Sequence, residues 1–177
     1  AEYFKGHFEG LGYETHLLRV TDHGNLAQPE SLNVIAWKRG VRDDCVQGMG
    51  GHMDIAPPGG PPGGGTYEGA YDNTAGTVAM MLYARAFADL TFDCDTFLAL
   101  WSSEEEGLRG SNAFANNQCE YCLPHDKELE FYINMDMMGM SWPAHKNGVG
   151  DPFPYHAWSG PDSDPDVQDV EITTVLE

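Results

Sequence analysis

Basic side chains are scarce in this sequence. Nine lysines and arginines stand against 28 aspartates and glutamates, which gives a formal net charge of −19 over 177 residues. So large an excess of negative charge repels polyanions and anionic membrane surfaces. We therefore expect neither nucleic acid nor a membrane among its partners. With 41% hydrophobic residues, the chain is nevertheless too apolar to be intrinsically disordered.

Long apolar runs are missing and cysteines are few. Without a stretch of 18 apolar residues, the sequence offers no pattern typical of a transmembrane helix. The four cysteines, Cys45, Cys94, Cys119 and Cys122, are an even but small number that does not indicate a disulfide scaffold. The cysteine count therefore does not decide between a secreted protein and one from a high-salt cytoplasm.

Helical and strand patterns alternate along the chain. Helices are predicted over Glu2–Leu11, Asn73–Asp89, Leu108–Asn117 and Asp166–Glu177. Strands are predicted over Thr15–Val20, Leu32–Lys38, Cys45–Met49, Thr96–Trp101 and Glu130–Met135. Loops rich in glycine and proline are predicted over Asp22–Ser31 and Pro57–Gly65. The alternation predicts one α/β domain over residues 1–177, with three αβα layers and a mostly parallel or mixed central sheet.

Three consecutive glutamates, Glu104, Glu105 and Glu106, follow the apolar strand predicted at Thr96–Trp101. Carboxylates held close together repel one another, and each disfavours ionisation of its neighbours. A metal ion offsets that repulsion with its own charge. Taken alone, the run is equally typical of a solvated acidic turn, so other residues must decide between the two interpretations.

Further candidate metal ligands come at other strand ends and beside a helix. His52 follows the third predicted strand, Asp136 follows the fifth, and Asp72 comes just before the second helix. Imidazole and carboxylate groups are the ligands that Zn²⁺ takes in hydrolytic sites, and Asp54 is placed to orient His52. Alone, Asp72 is typical of an N-cap and Asp136 of a turn. Their conjunction at strand ends favours a metal site.

Four segments, in this order, resemble the co-catalytic zinc aminopeptidases, peptidase family twenty-eight. They are Gly51–Asp54, Tyr71–Gly76, Ser103–Ser111 and Ile133–Gly139, with a weaker similarity at Asn33–Ala36. The resemblance extends from about Glu2 to Gly139. It implies a zinc-exopeptidase-like fold and hydrolysis of a peptide substrate at its unblocked N-terminal residue.

The resemblance also implies a role for each site residue. The implied ligands of a two-zinc site are His52 and Asp136 on one zinc, Asp72 between the two, and Glu105 on the second. Glu104 is implied to be the general base, and Asp54 to orient His52. A cis peptide bond is expected between Asp72 and Asn73, as is usual in this family.

The sequence departs from the family after Asp136. The family's second zinc takes a further histidine downstream, and neither His145 nor His156 stands in its context. We therefore expect a shortened member that lacks the family's C-terminal part. One zinc would be held well and the second weakly or not at all, and an exposed truncated core would allow oligomers. Two alternatives stay open: a single-zinc enzyme similar to glutaminyl cyclases, and a non-catalytic protease-like binding domain.

Two other motifs are weaker. Cys119 and Cys122, with His125 nearby, could bind a metal, but a disulfide or free thiols are more typical of a lone pair at this spacing. The acidic run Asp162–Asp166 lacks the glycine and the final glutamate of a calcium-binding loop. Neither motif predicts a functional site.

The acidic, lysine-poor composition predicts adaptation to high salt, where repulsion between surface charges is screened. We expect solubility and melting temperature to rise between low salt and molar potassium chloride. Sucrose, which is excluded from the protein surface but does not screen charge, is the control and should stabilise less. Equal stabilisation by both solutes, or none by salt, would contradict the hypothesis.

Overall fold

The computed structural model describes residues 1–20, 31–56, 68–117 and 119–138. Several sequence-based predictions lie outside these residues. They are the loops at positions 22–30 and 57–65, Gly139 of the fourth matching segment, His145, His156, the acidic run Asp162–Asp166 and the helix Asp166–Glu177.

The described part of the chain contains three helices and five strands close to the predicted positions. The helices are α1 (Glu2–Gly10), α2 (Ala75–Phe87) and α3 (Arg109–Asn116). The strands are β1 (Glu14–Val20), β2 (Ser31–Lys38), β3 (Cys45–His52), β4 (Asp95–Trp101) and β5 (Glu128–Asn134). A kinked helical turn, Ala70–Thr74, leads into α2. Among these residues no helix combines the length and apolarity needed to cross a membrane.

The five strands form one mixed sheet in the order β1-β2-β4-β3-β5. β2 is antiparallel to both β1 and β4, whereas β4, β3 and β5 run parallel to one another. β4 is the middle strand, and all seven of its residues are buried. The predicted mixed sheet is therefore confirmed, and the carboxyl ends of three neighbouring strands meet at one edge.

Helices cover both faces of the sheet. On one face Phe8 of α1 and Met80 of α2 pack against Leu98 and other residues of a buried apolar cluster. On the opposite face Phe114 of α3 packs against Phe97 and its neighbours. Successive residues of β4 thus alternate between the two clusters, as the pleat of a strand requires. The predicted three-layer αβα arrangement is confirmed.

The helical spacing of Ala75, Val78, Ala79, Leu82 and Ala86 predicts α2, but this stripe contains none of the residues that the helix buries. Val78 and Leu82 are 46% and 61% exposed, whereas the buried residues of the helix are Gly76, Thr77, Met80 and Ala84. The Thr77 hydroxyl donates a hydrogen bond to the backbone oxygen of His52 at 3.0 Å. The buried face of α2 therefore combines apolar residues, Met80 and Ala84, with Thr77, which makes a long-range contact to β3.

All four cysteines are paired, which decides a question that their small number left open in the sequence. Cys45 at the start of β3 is bonded to Cys94, the residue before β4, and Cys119 is bonded to Cys122. The strand order brings the first pair together across 49 residues. Pairing removes the thiols from Cys119 and Cys122, so the metal-binding alternative at that motif is wrong. Disulfides persist in oxidising compartments, which favours the secreted alternative.

A buried carboxylate ties together the strand ends opposite the predicted site. Asp95 is 4% exposed and accepts hydrogen bonds from Lys127 at 2.8 Å, Arg39 at 3.1 Å and the backbone N–H of Gly40 at 2.9 Å. Burial opposes ionisation, but these donors outweigh it and hold the pKa of Asp95 below its ordinary value. Asp95 therefore remains charged at neutral pH.

Replacing Asp95 with asparagine should lower the free energy of unfolding by about 1–3 kcal/mol at pH 7, because charged donors lose their anionic partner. Since the folded-state pKa is lowered, the wild-type contribution is complete above the unfolded pKa of about 4 and is lost as pH falls below it. The Asp95→Asn variant should lack that acid-side loss. Urea unfolding at several pH values measures both effects.

The control is Asp44→Asn, which removes an exposed carboxylate paired with Arg42. An exposed pair is screened by water, so this change should be much smaller. Equal losses of unfolding free energy in the two variants would contradict a larger stabilising contribution from the buried Asp95.

Candidate metal centre

Three parallel strands carry the predicted site residues to one edge of the sheet. His52 is the last residue of β3, Glu104 and Glu105 come just after β4, and Asp136 comes just after β5. β3 lies between β4 and β5 in the sheet. Residues that follow the same ends of neighbouring parallel strands must lie close together.

The predicted metal ligands surround one nitrogen of a buried imidazole. His52 is 1% exposed, and its Nε2 atom lies 3.0 Å from Asp72 Oδ1, 3.3 Å from Asp136 Oδ1 and 4.0 Å from Glu104 Oε2. Ligand atoms of His52, Asp72 and Glu105 all lie within 4.8 Å of one another. The structure thus brings together all four predicted ligands and the predicted base.

Asp72 reaches this cluster from the kinked turn before α2. Its peptide bond to Asn73 is cis, as the resemblance predicts. The N-cap interpretation of Asp72 is wrong, because Asn73 Oδ1 instead accepts the hydrogen bond from the Gly76 N–H, at 2.9 Å. Asn73 Nδ2 donates to the backbone oxygen of Met135 at 2.8 Å. Asn73 therefore holds the Asp72 segment against the chain that carries Asp136.

Asp54 faces both His52 and the two glutamates. Its Oδ1 lies 3.6 Å from His52 Nδ1, and its two oxygens accept the backbone N–H groups of Glu104 at 3.1 Å and Glu105 at 3.2 Å. Burial opposes its ionisation, but the interaction with His52 and these N–H groups lower the pKa of Asp54. This carboxylate therefore fixes the backbone of the glutamate turn in addition to its predicted position beside His52.

In the metal-free protein, burial and neighbouring charges shift the pKa values of residues in the cluster. Burial raises the pKa of Glu104, and the nearby charges of Asp136 and Glu105 add to that rise against the opposing effect of His52. Burial also raises the pKa of Glu105. Burial lowers the pKa of His52, but hydrogen bonding to Asp136 and the surrounding negative charges outweigh it and raise the value to about 10. A proton on His52 thus partly neutralises the cluster.

The donor set fits a divalent cation. The Oε1 atom of Glu105 is buried and lacks a hydrogen-bond partner among the residues described. Leaving a buried carboxylate oxygen unpaired is costly. A cation placed beside His52 Nε2 and Asp72 would supply the missing partner. One imidazole nitrogen with several carboxylate oxygens is a ligand set that zinc accepts.

Unusual backbone conformations lie next to the cluster. In the described part of the chain, the non-glycine residues with positive φ are Ser103 at 54°, Leu108 at 59° and Met137 at 48°. Ser103 directly precedes Glu104, and Met137 directly follows Asp136. Such conformations cost about 1–3 kcal/mol each and persist where the surrounding structure enforces them, often at functional sites.

A cleft of about 180 Å³ opens beside Glu104. Its lining residues are His52, Trp101, Glu104, Leu108, Ser111, Tyr132 and Asn134. Trp101 Nε1 donates to the Tyr132 hydroxyl at 2.7 Å, and that hydroxyl donates to Asn134 Oδ1 at 3.0 Å. Burial raises the pKa of Tyr132 to about 12, so the hydroxyl stays protonated. The cleft therefore has a neutral aromatic wall close to the carboxylates.

Residues 33–159, well over half of the chain, match the family model of Peptidase family M28. The chain belongs to Peptidase family M28. It is 30% identical over 127 residues to leucine aminopeptidase 2 of Trichophyton rubrum, a match that covers 70% of this chain and 23% of that protein. The chain thus spans less than a quarter of the length of this curated M28 relative.

Two solved structures have the same fold. The zinc aminopeptidase BSAP of Bacillus subtilis superposes with a TM-score of 0.52 at 28% identity, covering 66% of this chain and 26% of that one. A glutaminyl cyclase of Tannerella forsythia superposes with a TM-score of 0.64 at 17% identity, covering 78% of this chain and 52% of that one. At that identity the second match shows a shared fold only.

Sequence reasoning did not find the polar residues that hold this M28 site in place. Asn33, Asn73 and Thr77 are buried. Thr77 bonds to the backbone of His52, Asn73 to that of Met135 beside Asp136, and Asn33 to that of Gly110, beyond the glutamates. Asn33 and Asn73 lie inside matching segments, which was the one available signal. Their functions depend on contacts between distant parts of the chain.

Zinc binding at pH 8 should release about one proton, because His52 must lose its proton to bind metal. In the metal-free protein the raised pKa means that the charged His52 adds stability below its ordinary value of about 6.5. That contribution is lost as pH rises towards about 10. Calorimetric titration in buffers with different ionisation enthalpies counts the protons released.

The His16→Gln variant is the control, because His16 pairs with Glu14 away from the cluster. It should release the same number of protons as the wild type. Zinc binding with no proton release at pH 8 would show that His52 is already neutral, or is not a ligand.

Proposed function

We propose that this M28 chain forms the metal-binding core of a zinc-dependent aminopeptidase. One observation carries the proposal: carboxylate oxygens of Asp72, Asp136 and Glu104 all lie within 4.0 Å of His52 Nε2 at the carboxyl edge of the sheet. A peptidase of this kind hydrolyses the amide bond that follows an unblocked N-terminal residue. The names of the leucine aminopeptidase and BSAP relatives support the same reaction class.

The resemblance to the two-zinc aminopeptidases supports two unequal metal sites. His52 and Asp136 would hold one zinc, Asp72 would lie between the metals, and Glu105 would hold the second. Within the residues described, the second position has fewer donors, so we expect one zinc bound firmly and the other weakly. When bound, zinc would lower the pKa of water and polarise the scissile carbonyl group.

Glu104 is the residue best placed to move a proton. It lies 4.0 Å from His52 Nε2, while the close group of possible ligands contains Glu105 instead. The raised pKa of Glu104 suits a carboxylate that takes a proton from the attacking water and returns it to the leaving amine. Asp54 supports this role because it holds the Glu104 backbone N–H.

The surroundings of Glu104 support an unblocked peptide as substrate. A free α-amino group carries positive charge, which the excess of carboxylates attracts. Trp101, Leu108 and Tyr132 give the neighbouring cleft an apolar wall, which suits an apolar side chain next to the scissile bond. The substrate would then lie with its N terminus near the carboxylates and its first side chain in the cleft.

A single-zinc glutaminyl-cyclase-like reaction is the second candidate. The close group of His52, Asp72 and Glu105 could hold one metal without a second, and the fold is shared with a glutaminyl cyclase. Assays with an amino-acid anilide and with a peptide that begins with glutamine distinguish the two reactions. Hydrolysis of the anilide supports the peptidase, whereas cyclisation of the glutamine without hydrolysis of the anilide supports the cyclase.

The Glu104→Gln variant should keep its zinc but lose turnover by about 10²–10⁴-fold, because the amide cannot accept the proton. The Glu105→Ala variant should lose zinc, because a ligand is removed. Metal content is measured by elemental analysis after equilibrium dialysis, and turnover by anilide hydrolysis. Circular dichroism checks that both variants fold.

Glu106→Gln is the matched control, because it changes the third glutamate of the same turn and we assign that residue no catalytic or metal-binding role. It should retain both zinc and turnover. Equal zinc content in the Glu104 and Glu105 variants, or near-wild-type activity in Glu104→Gln, would contradict the assigned roles.

A further inference from the structure

One buried side chain closes both ends of the loop that carries the glutamates. This carboxylate loop, defined as residues 102–110, runs from the end of β4 into the first turn of α3 and contains Glu104 and Glu105. Asn33 of β2 is fully buried, and its Nδ2 donates to the Gly110 backbone oxygen at 2.8 Å. Its Oδ1 accepts from the backbone N–H of Ser102 at 2.9 Å and from the Ser102 hydroxyl at 3.1 Å. A single amide thus joins the first and last residues of the loop.

The contact around Asn33 has no spare room. A Cβ atom added at Gly110 would lie 2.3 Å from the Ser102 backbone oxygen and 2.4 Å from Asn33 Oδ1. Both distances are far inside normal contact, so any side chain at Gly110 would push the two ends of the loop apart. Glycine at this position is therefore required for Asn33 to reach both partners.

The carboxylate loop is also held between its ends. The hydroxyl groups of Ser31 and Ser103 lie 2.7 Å apart, which gives β2 a second contact with the loop. From the β3 side, Asp54 accepts the backbone N–H groups of Glu104 and Glu105. The glutamates therefore lie between an anchor on β2 and an anchor that follows β3.

Asn33 itself is not a member of the ligand cluster. Burying an amide is unfavourable unless its polar atoms are hydrogen-bonded, and the bonds given above go to the carboxylate loop. The position of the loop relative to the sheet fixes the backbone atoms from which the Glu104 and Glu105 side chains extend. A small shift of such groups is enough to weaken a metal site.

We propose that Asn33 is a positioning residue that fixes the carboxylate loop and thereby sets the metal affinity of the site. The effect on metal affinity rests on the proposed function, in which Glu105 is a ligand. The effect on the loop itself does not depend on it. Asn33→Ala loses every one of these bonds, whereas Asn33→Asp keeps the acceptor for Ser102 and replaces the donor to Gly110 with a carboxylate oxygen that the Gly110 carbonyl repels.

Hydrogen exchange of the metal-free chain, followed by mass spectrometry, tests the structural part. In Asn33→Ala, amides within residues 103–110 should exchange about tenfold faster, while those of β4 keep their protection. The control is Tyr13→Phe, which removes a buried hydrogen bond to the Ala84 backbone oxygen at 2.9 Å. It should leave the loop unchanged. Unchanged loop exchange in Asn33→Ala, or acceleration spread equally over the sheet, would overturn the proposal.

Competition with a chromophoric chelator measures the effect on zinc. Asn33→Ala should weaken zinc binding about 10–100-fold, and Asn33→Asp at least as much, because its buried carboxylate would face the Gly110 carbonyl. Tyr13→Phe should keep wild-type affinity even if it melts at a lower temperature. Equal zinc affinity in wild type and Asn33→Ala would overturn the link to metal binding. A wild-type protein that binds zinc but hydrolyses nothing would contradict the proposed peptidase activity and leave both results on Asn33 interpretable.

Discussion

Repulsion between carboxylates is the constraint on which the rest of this structure depends. Asp72, Glu104 and Asp136 all lie within 4.0 Å of one imidazole nitrogen, where their charges disfavour one another. In the metal-free protein a proton on His52 partly offsets this charge, and a divalent cation would offset more of it. The fold must therefore supply anchors that hold these groups together.

Those anchors are hydrogen bonds from polar groups to backbone. Asp54 holds the glutamate turn, Asn73 holds the Asp72 segment against the residue that follows β5, and Asn33 closes the carboxylate loop. The opposite ends of the same strands are different in character. There Asp95 is surrounded by positive donors, and Cys45 and Cys94 are covalently bonded. The ion pairs and the disulfide at one edge of the sheet thus help to hold together the strands whose other ends carry the mutually repelling carboxylates.

Much of the fold and of the candidate site could be predicted from the sequence, because both depend on local pattern. The apolar run Thr96–Trp101 identified the central strand, and the acidic residues after successive strands identified the cluster. Four separated motifs in order identified the M28 family. Parallel neighbouring strands then bring such residues together without further information.

Features that depend on contacts between distant residues could not be predicted in the same way. The buried face of α2 includes Thr77, which bonds to the backbone of His52, beside the apolar Met80 and Ala84. The bond between Cys45 and Cys94 follows from β3 and β4 being neighbours. Asn33 lies in a segment that resembles the family, but its role could not be predicted, because its partners lie 69 and 77 residues away.

The central claim concerns the cation, and it can be tested with the chain itself, although the chain spans only 23% of its leucine aminopeptidase relative. The most direct measurement is an anomalous difference map, recorded at the zinc absorption edge from crystals grown with zinc. We predict a peak about 2.0–2.2 Å from His52 Nε2 and from a carboxylate oxygen of Asp72. A map with no peak between these residues, or His52 and Asp72 turned away from each other, would contradict the proposed metal centre.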